Sequence, residues 1–530
     1  MMRNDRTKQA RAIVNVNALV LVALGIGLLN NVLIAARFGL GHHVDAFFAA
    51  AVLPNLFMFL CVDYLGKNFL PVLGSAKAIG AASVDSVTSS IVTIAALLAA
   101  AVAGVLLVFR EPLFAAMLPG FDAEALELVS RYFVIMAPSM VLMAVNTFHE
   151  YVWQYDERFT YVSLSRAALP AANLVGLLLL EPWLGYYCLP VAHLLGHAAA
   201  FVLLMRRIPY RYRPQIALRP GFERRVFANS AIVMSTGLLA RSRSIIMSYF
   251  GSQFGPGVIT ALAMASKLTE PLERSAFTGI RMLMFSTTVR LLVARDRRSL
   301  GPLYSNGLRA SFLVLAPLLW WIALNSSAIV QVLFQHGRFT AEMATLVAAV
   351  LVGLVPSVLF LGLNQLLSNA FYAMNRVKVP AVVMPLGTLV YLIVAVSLTS
   401  WLGPQALAIA TSTASLALFV TLLLVLARQL PEIELLATAS KLVLYAALAG
   451  AAMLAAAAGL ARFEMPAVAV AAVSLPLGTA TYAAALYYGG DRTLRRLFEI
   501  LRAYAARSTK LTTEERLPRS GKAPPAPKVE

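Results

Sequence analysis

SVTSSIVTIAALLAAAVAGVLLVF, residues 86–109, is a run of 24 residues without a charged side chain. Coiled as an α-helix it rises about 36 Å, enough to cross the hydrocarbon core of a bilayer. It lacks the in-out alternation of a membrane β-strand. Outward from this run the same signature recurs. Apolar helices are expected near 12–37, 44–66, 86–109, 126–153, 160–181, 184–205, 226–250, 257–289, 303–334, 341–372, 379–401, 404–427, 441–461 and 465–489, about fourteen in all. The composition agrees: 60% of the 530 residues are hydrophobic and 13% charged, with a mean hydropathy of +0.76. A soluble domain runs near 45–50% apolar and about 25% charged. Too little polar surface is available to cover a water-soluble multi-domain enzyme of this composition. Disorder is excluded because it needs low hydrophobicity. An all-α polytopic membrane protein is expected.

The net charge of +19 does not require nucleic acid. Membrane proteins load Lys and Arg into cytoplasmic loops. With the N-terminus placed inside, the inner segments hold 32 Lys and Arg, and the outer ones hold only Arg37, Arg110, Arg338 and Arg462. Both termini are therefore expected in the cytoplasm, around an even number of spans. The basic start and the apolar run after it mimic a signal peptide. The run is too long and lacks a small-residue cleavage site, so a retained first span is expected. The expected organisation is a cytoplasmic N-terminus (1–11), a six-helix lobe (12–205), a basic cytoplasmic loop (206–225), a second six-helix lobe (226–428), helices 13 and 14 (429–490) and a basic cytoplasmic tail (491–530). Residues 506–530 read as a disordered, solubilising tail able to touch anionic membrane lipids. Cys61 and Cys188 supply no disulfide framework and no zinc site.

Two stretches resemble each other. Phe38-Gly39 … Ala46-Phe47-Phe48-Ala49-Ala50 has a counterpart in the second half, Phe250-Gly251 … Ala261-Leu262-Ala263-Met264-Ala265. Internal repeats of this kind build secondary transporters, with the substrate site between the halves. Eight positive side chains then fall inside expected spans: Arg131, Arg166, Arg241, Arg243, Lys267, Arg274, Arg281 and Arg309. Each costs roughly 2.5–3.5 kcal/mol at a helix centre. Arg131 and Arg309 lie near span ends and can snorkel. Arg241 and Arg243 sit mid-helix. Lys267, Glu270, Arg274 and Arg281 recur on one helix face, and Pro271 should kink that helix and free backbone carbonyls. Such a stripe is either a self-neutralised network or the wall of a basic cavity for an anionic headgroup. Arg241 and Arg243 have no acid on their own helix and tip the reading to the second. Arginine's planar fork matches phosphate oxygens.

Asp45 and Asp63 flank the second span. Asp45 is a candidate gating group or a cap on its own helix. Asp63 is a candidate ion or proton group. His193 and His197 have metal-compatible spacing but no third ligand, which favours packing. Asn15, Asn17, Asn30 and Asn31, with Asn364, Gln365 and Asn369, are suited to bonds between helices or to sugar hydroxyls. No catalytic constellation, Walker A loop or nucleophile elbow is present, so neither an enzyme nor a cofactor is expected.

Ala36-Arg37-Phe38-Gly39-Leu40-Gly41 … Asp45-Ala46-Phe47-Phe48 … Leu53-Pro54-Asn55-Leu56, with Phe69-Leu70-Pro71-Val72-Leu73, resembles the MurJ/MviN family of lipid II flippases. So do Leu333-Phe334-Gln335-His336-Gly337-Arg338-Phe339-Thr340 and Phe371-Tyr372-Ala373 … Lys378-Val379-Pro380. The matches run in order over about residues 12–490. The resemblance implies the multidrug/oligosaccharidyl-lipid/polysaccharide exporter fold, two lobes around a cationic cavity. It implies an undecaprenyl-diphosphate-linked glycan carried from the inner to the outer leaflet of a bacterial cytoplasmic membrane, for cell-wall synthesis. Asp45 matches the family's acid before span 2. Lys267 stands where the family has a cavity arginine, and Glu270 matches the acid after it. Leu24, Asn30 and Met58 stand where the family has first-half arginines. The expected diphosphate and headgroup ligands are Arg241, Arg243, Lys267, Arg274 and Asn30, with Asp45, Asp63 and Glu270 in gating or coupling to an ion. Other readings are a flippase for an exopolysaccharide unit, a cation-coupled exporter of small amphiphiles, and a non-transporting scaffold.

Overall fold

The computed structural model describes residues 19, 22–61, 66–219, 222–224, 226–227, 238, 242–275, 277–376, 378–463, 465–491 and 493–495. Among them every regular element is helical, as the uniform apolarity of the runs dictates. The first half contains α1 (Val22–Phe38), α2 (His42–Leu60), α3 (Lys67–Ile79), α4 (Ala81–Val108), α5 (Arg110–Met117), α6 (Ala123–Met136), α7 (Pro138–Tyr155), α8 (Phe159–Leu184) and α9 (Cys188–Met205). The second contains α10 (Arg243–Ser252), α11 (Val258–Ser275), α12 (Thr278–Val293), α13 (Leu300–Leu324), α14 (Ser326–Phe334), α15 (Ala341–Ala373), α16 (Lys378–Leu402) and α17 (Gln405–Gln429). Last come α18 (Leu435–Ala461) and α19 (Ala467–Tyr488).

By length and apolarity alone, nine of the described helices qualify as spans, ten if the α6–α7 pair bent by 40° is one. The expected fourteen windows fall short of that test for local reasons. α1 falls in the shorter class of apolar helices, and α10, the element described in the seventh window, has only 10 residues. The eighth window carries the charged stripe and breaks into α11 and α12. The 47-residue run Phe159–Met205 is twice a bilayer's thickness and turns back at Gly185, so that Gly176 lies against Ala192 and Gly196 against Leu169. The short helices α3 and α5 fall in the stretches left between expected spans, and α14 was not separated from α13 within the window 303–334. Helix α11 continues through Pro271 to Ser275, and α12 begins at Thr278.

The two halves repeat in helix order, with the bent pair α6–α7 of the first corresponding to the single helix α15 of the second. Gly41 precedes α2 as Gly257 precedes α11, and Pro54 lies inside the one helix as Pro271 lies inside the other. Asn146 donates to the His197 carbonyl at 3.0 Å, and Asn364 donates to the Ser415 carbonyl at 2.9 Å. In both halves the acceptor follows its asparagine by 51 residues. Asn146 and Asn364 are therefore glue between neighbouring helices, and the offset between these two pairs is slightly longer than the sequence match gave. His193 and His197 are buried in α9, ring centroids 4.9 Å apart, and no group of three potential metal ligands occurs among the described residues.

The basic loop is strapped along α4. The Arg211 N–H donates to Asp85 at 3.0 Å, Ser89 and Ser90 bond the backbone at 211, 213 and 217, and Gln215 donates to Ser86. A serine-rich helix face supplies partners that an extended segment cannot supply for itself.

By internal packing the chain divides into Met1–Arg297 with Ile322–Leu430, and Arg298–Trp321 with Pro431–Glu530. The second unit packs α18 against α19, with the Trp320 ring against Gly450 and the Trp321 indole donating to the Ala471 carbonyl at 2.8 Å. Arg309 does not reach for solvent alone. It donates to Thr438 at 3.0 Å and lies 3.5 Å from Glu434. Asp491 closes the unit, accepting from Lys441 and Tyr445 at 2.9 Å and from the Thr493 and Leu494 N–H groups.

Burial alone raises the Asp491 pKa, but the bonds from Lys441, Leu494 N–H and Tyr445 more than offset it and hold the carboxyl below its ordinary value. A depressed carboxyl stabilises fully above the ordinary pKa of about 3.9, and the contribution is lost as pH falls through the lower folded value. Asp491→Asn should therefore cost about 1–3 kcal/mol at neutral pH. Thermal unfolding of the detergent-solubilised protein checks this. The gap to the parent should close as pH falls into the acid range, and a gap independent of pH would mean the charge is not what matters.

Candidate functional site

The halves of the first unit meet through helix ends. Every α-helix leaves its first N–H and last C=O groups without intrahelical partners. Here the opposite half supplies them. Asp45, fully buried near the start of α2, accepts from the Gly257 N–H at 2.5 Å, the Thr260 N–H at 2.7 Å and the Thr260 hydroxyl at 2.5 Å. It is thus an N-cap, but for α11 of the second half; α2 begins at Gly41 with no side-chain cap. The carboxylate also meets the positive end of the α11 dipole.

Two further contacts are reciprocal. The Arg338 N–H donates at 2.8 Å to the Ala36 carbonyl, near the end of α1. A Cβ on the neighbouring Gly337 (φ +60°) would collide with that same oxygen. In the other half the Gly120 N–H donates to the Ser252 hydroxyl at 3.2 Å, and a Cβ on Gly120 would collide with the Ser252 carbonyl oxygen, at the end of α10. Gly120 and Gly337 occupy equivalent places in the two halves, and so, to within one position, do Ala36 and Ser252. Each half seats a loop glycine on the terminus of the other's first helix. All these contacts lie at one end, which is called the gate here.

Away from the gate, α2 and α11 each carry an exposed polar side chain. Lys267 lies two helical turns beyond Thr260, on the same face of α11, and its side chain is 46% exposed. On α2, Asn55 is exposed, about three turns beyond Asp45. At about 1.5 Å per residue both lie roughly 15 Å below the gate, near mid-membrane depth. Arg243 begins α10, whose other end is at the gate, so it reaches the same level on the helix packed beside α11. Its guanidinium sits 6.0 Å from the ring centroid of buried Tyr391 in α16.

Lys267 pairs with Glu270 one turn on, at 2.9 Å. The pair is formed at an exposed face of α11. Pro271 has no N–H to give the Lys267 carbonyl one turn earlier, which leaves that oxygen free of its helical bond at the same level. Asn30 is instead buried in α1, with its Oδ1 lacking a partner among the described residues. Arg241 and Asp63 lie outside the described residues, as does the side chain of Arg274. Arg166 pairs with Glu150 at 2.9 Å and Arg131 with Glu127 at 2.5 Å. Gly120 and Tyr391 escaped the sequence reading, and Gly337 entered it only as part of a family-like motif with no role of its own. The two loop glycines share the offset that relates the halves, and that is the signal that would have found them.

Two homologous helical halves, latched at one end and parted at cationic mid-depth positions, define a transporter of the multidrug/oligosaccharidyl-lipid/polysaccharide exporter fold. The fold superposes on a structure titled lipid II flippase MurJ, inward closed conformation, with a TM-score of 0.78 at 18% identity, over 90% of this chain and 100% of that one. An inward-facing MATE family transporter of the MOP superfamily gives 0.61 at 15% identity, over 77% and 94%. In sequence the chain is 24% identical over 387 residues to lipid II flippase MurJ of Burkholderia cenocepacia, covering 70% of this chain and 74% of that protein. It is 23% identical over 401 residues to a probable lipid II flippase MurJ of Thermotoga maritima, covering 75% and 81%. The family model described as lipid II flippase MurJ matches residues 34–477. The chain belongs to the lipid II flippase MurJ family.

Because Cys61 and Cys188 are buried, introduced cysteines report cleanly on this geometry. Asn55→Cys and Lys267→Cys should react with a membrane-impermeant maleimide added on the side away from the gate. Val44→Cys and Ala261→Cys, buried at the gate, should stay unlabelled. Equal labelling of all four would contradict a gate closed at one end.

Proposed function

We propose that this chain flips lipid II, an undecaprenyl-diphosphate-linked glycan, from the inner to the outer leaflet of the bacterial cytoplasmic membrane. The observation that carries this reading is the exposure of Asn55 on α2 and Lys267 on α11, beyond the contact that joins the two helices. They are bonded through Asp45 and Thr260, then expose Asn55 and Lys267 two to three turns further on. The loops at the open end carry Arg206, Arg207, Arg211 and Arg213, and Arg295, Arg297 and Arg298, whereas Arg37, Arg110 and Arg338 flank the gate. That asymmetry orients the gate outward and the cleft, with both termini, toward the cytoplasm. The state is inward-facing.

The headgroup enters the cleft while the polyprenyl chain remains in lipid. Lys267 and Arg243 hold the diphosphate, Arg274 and Arg241 completing the set, and Asn55 offers its amide to a sugar. An anion at Lys267 competes with Glu270 for the ammonium, so substrate binding loosens the stripe's own ion pair. The halves then rock, and the gate contacts exchange for water. An inside-negative potential favours outward movement of an anion by about 2.3 kcal/mol per charge per 100 mV. A coupling ion, with Asp45 or Asp63 as its acid, belongs to the same proposal.

Flipping of fluorescent lipid II in proteoliposomes tests this. Lys267→Glu and Arg243→Glu should each lose at least about tenfold in rate at normal protein level, as expected for a lost charge-assisted contact, while Lys267→Arg retains activity. Unchanged flipping in the reversals would make the stripe structural. Asp45→Asn removes the charge from the α11 cap, worth about 1 kcal/mol. Gly120→Ala and Gly337→Ala place a methyl against a carbonyl. All three should hold the gate open, seen as labelling of Val44→Cys from the outer side.

A further inference from the structure

Arg281 of α12 is a cation of an expected span that the cleft site does not use. Its guanidinium donates to the Gln365 Oε1 of α15. Gln365 is exposed on a helix that is mostly buried, and Asn369 lies one turn further on the same face. Arg281 and Asn369, with Met282 and Phe285, line a cavity of about 210 Å³. Met282 and Phe285 are 71% and 42% exposed. The cavity therefore has a polar wall from two helices and an apolar wall open to the surroundings.

Its depth follows from α15, which starts at the gate with Ala341 and carries Gln365 24 residues further on. At about 1.5 Å per residue that gives roughly 35 Å, the far headgroup layer of a bilayer whose core is about 30 Å. Lys267 lies only about 15 Å from the gate. Phe277, fully buried against Gly362, pins α12 to α15 just after the break and so holds Arg281 in register with Gln365. Gln365 orients the guanidinium fork through this bond.

We propose that Arg281, Gln365 and Asn369 form a docking site for the diphosphate head of the polyprenyl-linked substrate at the cytoplasmic mouth, before it moves to Lys267. Met282 and Phe285 take the first segment of its chain. A guanidinium fork beside a carboxamide suits phosphate oxygens, and the adjoining apolar wall selects a phosphate that carries a lipid. The site rests on the proposed function, since it stages the same substrate.

A photo-crosslinking residue at Met282 tests it in the full-length protein in native membranes, with undecaprenyl diphosphate as the probe. The probe should crosslink there, and Arg281→Gln or Asn369→Leu should each lower the yield about tenfold. Lys267→Gln should leave it unchanged. Crosslinking indifferent to Arg281→Gln and Asn369→Leu, in protein made at normal levels, would overturn the site. So would phosphatidylglycerol crosslinking equally well and resisting displacement by undecaprenyl diphosphate, which would make it an ordinary lipid contact. Normal lipid II flipping without any crosslink at Met282 would sink the docking site alone. Absence of flipping by the parent protein would sink the proposed function and the docking site with it.

Discussion

A helix end needs a partner, and in this protein the partner comes from the other half of the molecule. The Asp45 carboxylate sits where the first N–H groups of Val258–Ser275 point, and it satisfies two backbone N–H groups there and a hydroxyl. Buried away from water, those groups would otherwise cost on the order of 1–3 kcal/mol each. Opened to water, they lose little, because water replaces the carboxylate. The same chemistry that closes the gate therefore lets it open at modest cost. The Ala36 carbonyl and the Arg338 N–H follow the same rule at the end of α1.

The gate is built with near two-fold symmetry, and function departs from it at single residues. Gly120 and Gly337 are equivalent and so are their contacts. Asp45 has no acidic counterpart: Ala261 stands at the equivalent position of the second half. In the cleft, Arg243 and Lys267 belong to the second half, whereas Leu24, Asn30 and Met58 of the first half are uncharged. The latch is thus given by one half and the charge by the other. In the proposed mechanism an anion at Lys267 would be held on the very helix whose start Asp45 caps, which would link occupancy of the cleft to the gate.

Much of this was legible in the residues. The apolar runs could only be helices in lipid, because backbone groups there must bond within their own segment. The skew of Lys and Arg carries the proposed orientation. Lys267, Glu270 and Asp45 stood out because charge inside an apolar helix is costly and is kept for a reason. Asn364 and Gln365 show the limit. They are adjacent in sequence and alike in chemistry, yet one is buried glue to Ser415 and the other receives Arg281 at an open surface. Their directions differ by about 100° around one helix, and only the neighbours of that helix say which direction is inside.

By itself the sequence determined the class of the molecule, the number of its halves and the helix that carries the charge, since transfer from water to lipid acts on each segment separately. Tertiary structure alone decided that Asp45 caps a helix of the opposite half, that Gly120 and Gly337 are pressed against foreign carbonyls, and that Lys267 faces open space. Those facts depend on how two halves meet. A meeting between segments so distant along the chain leaves no local hydropathy pattern, because the groups that make it are mostly backbone atoms common to every residue.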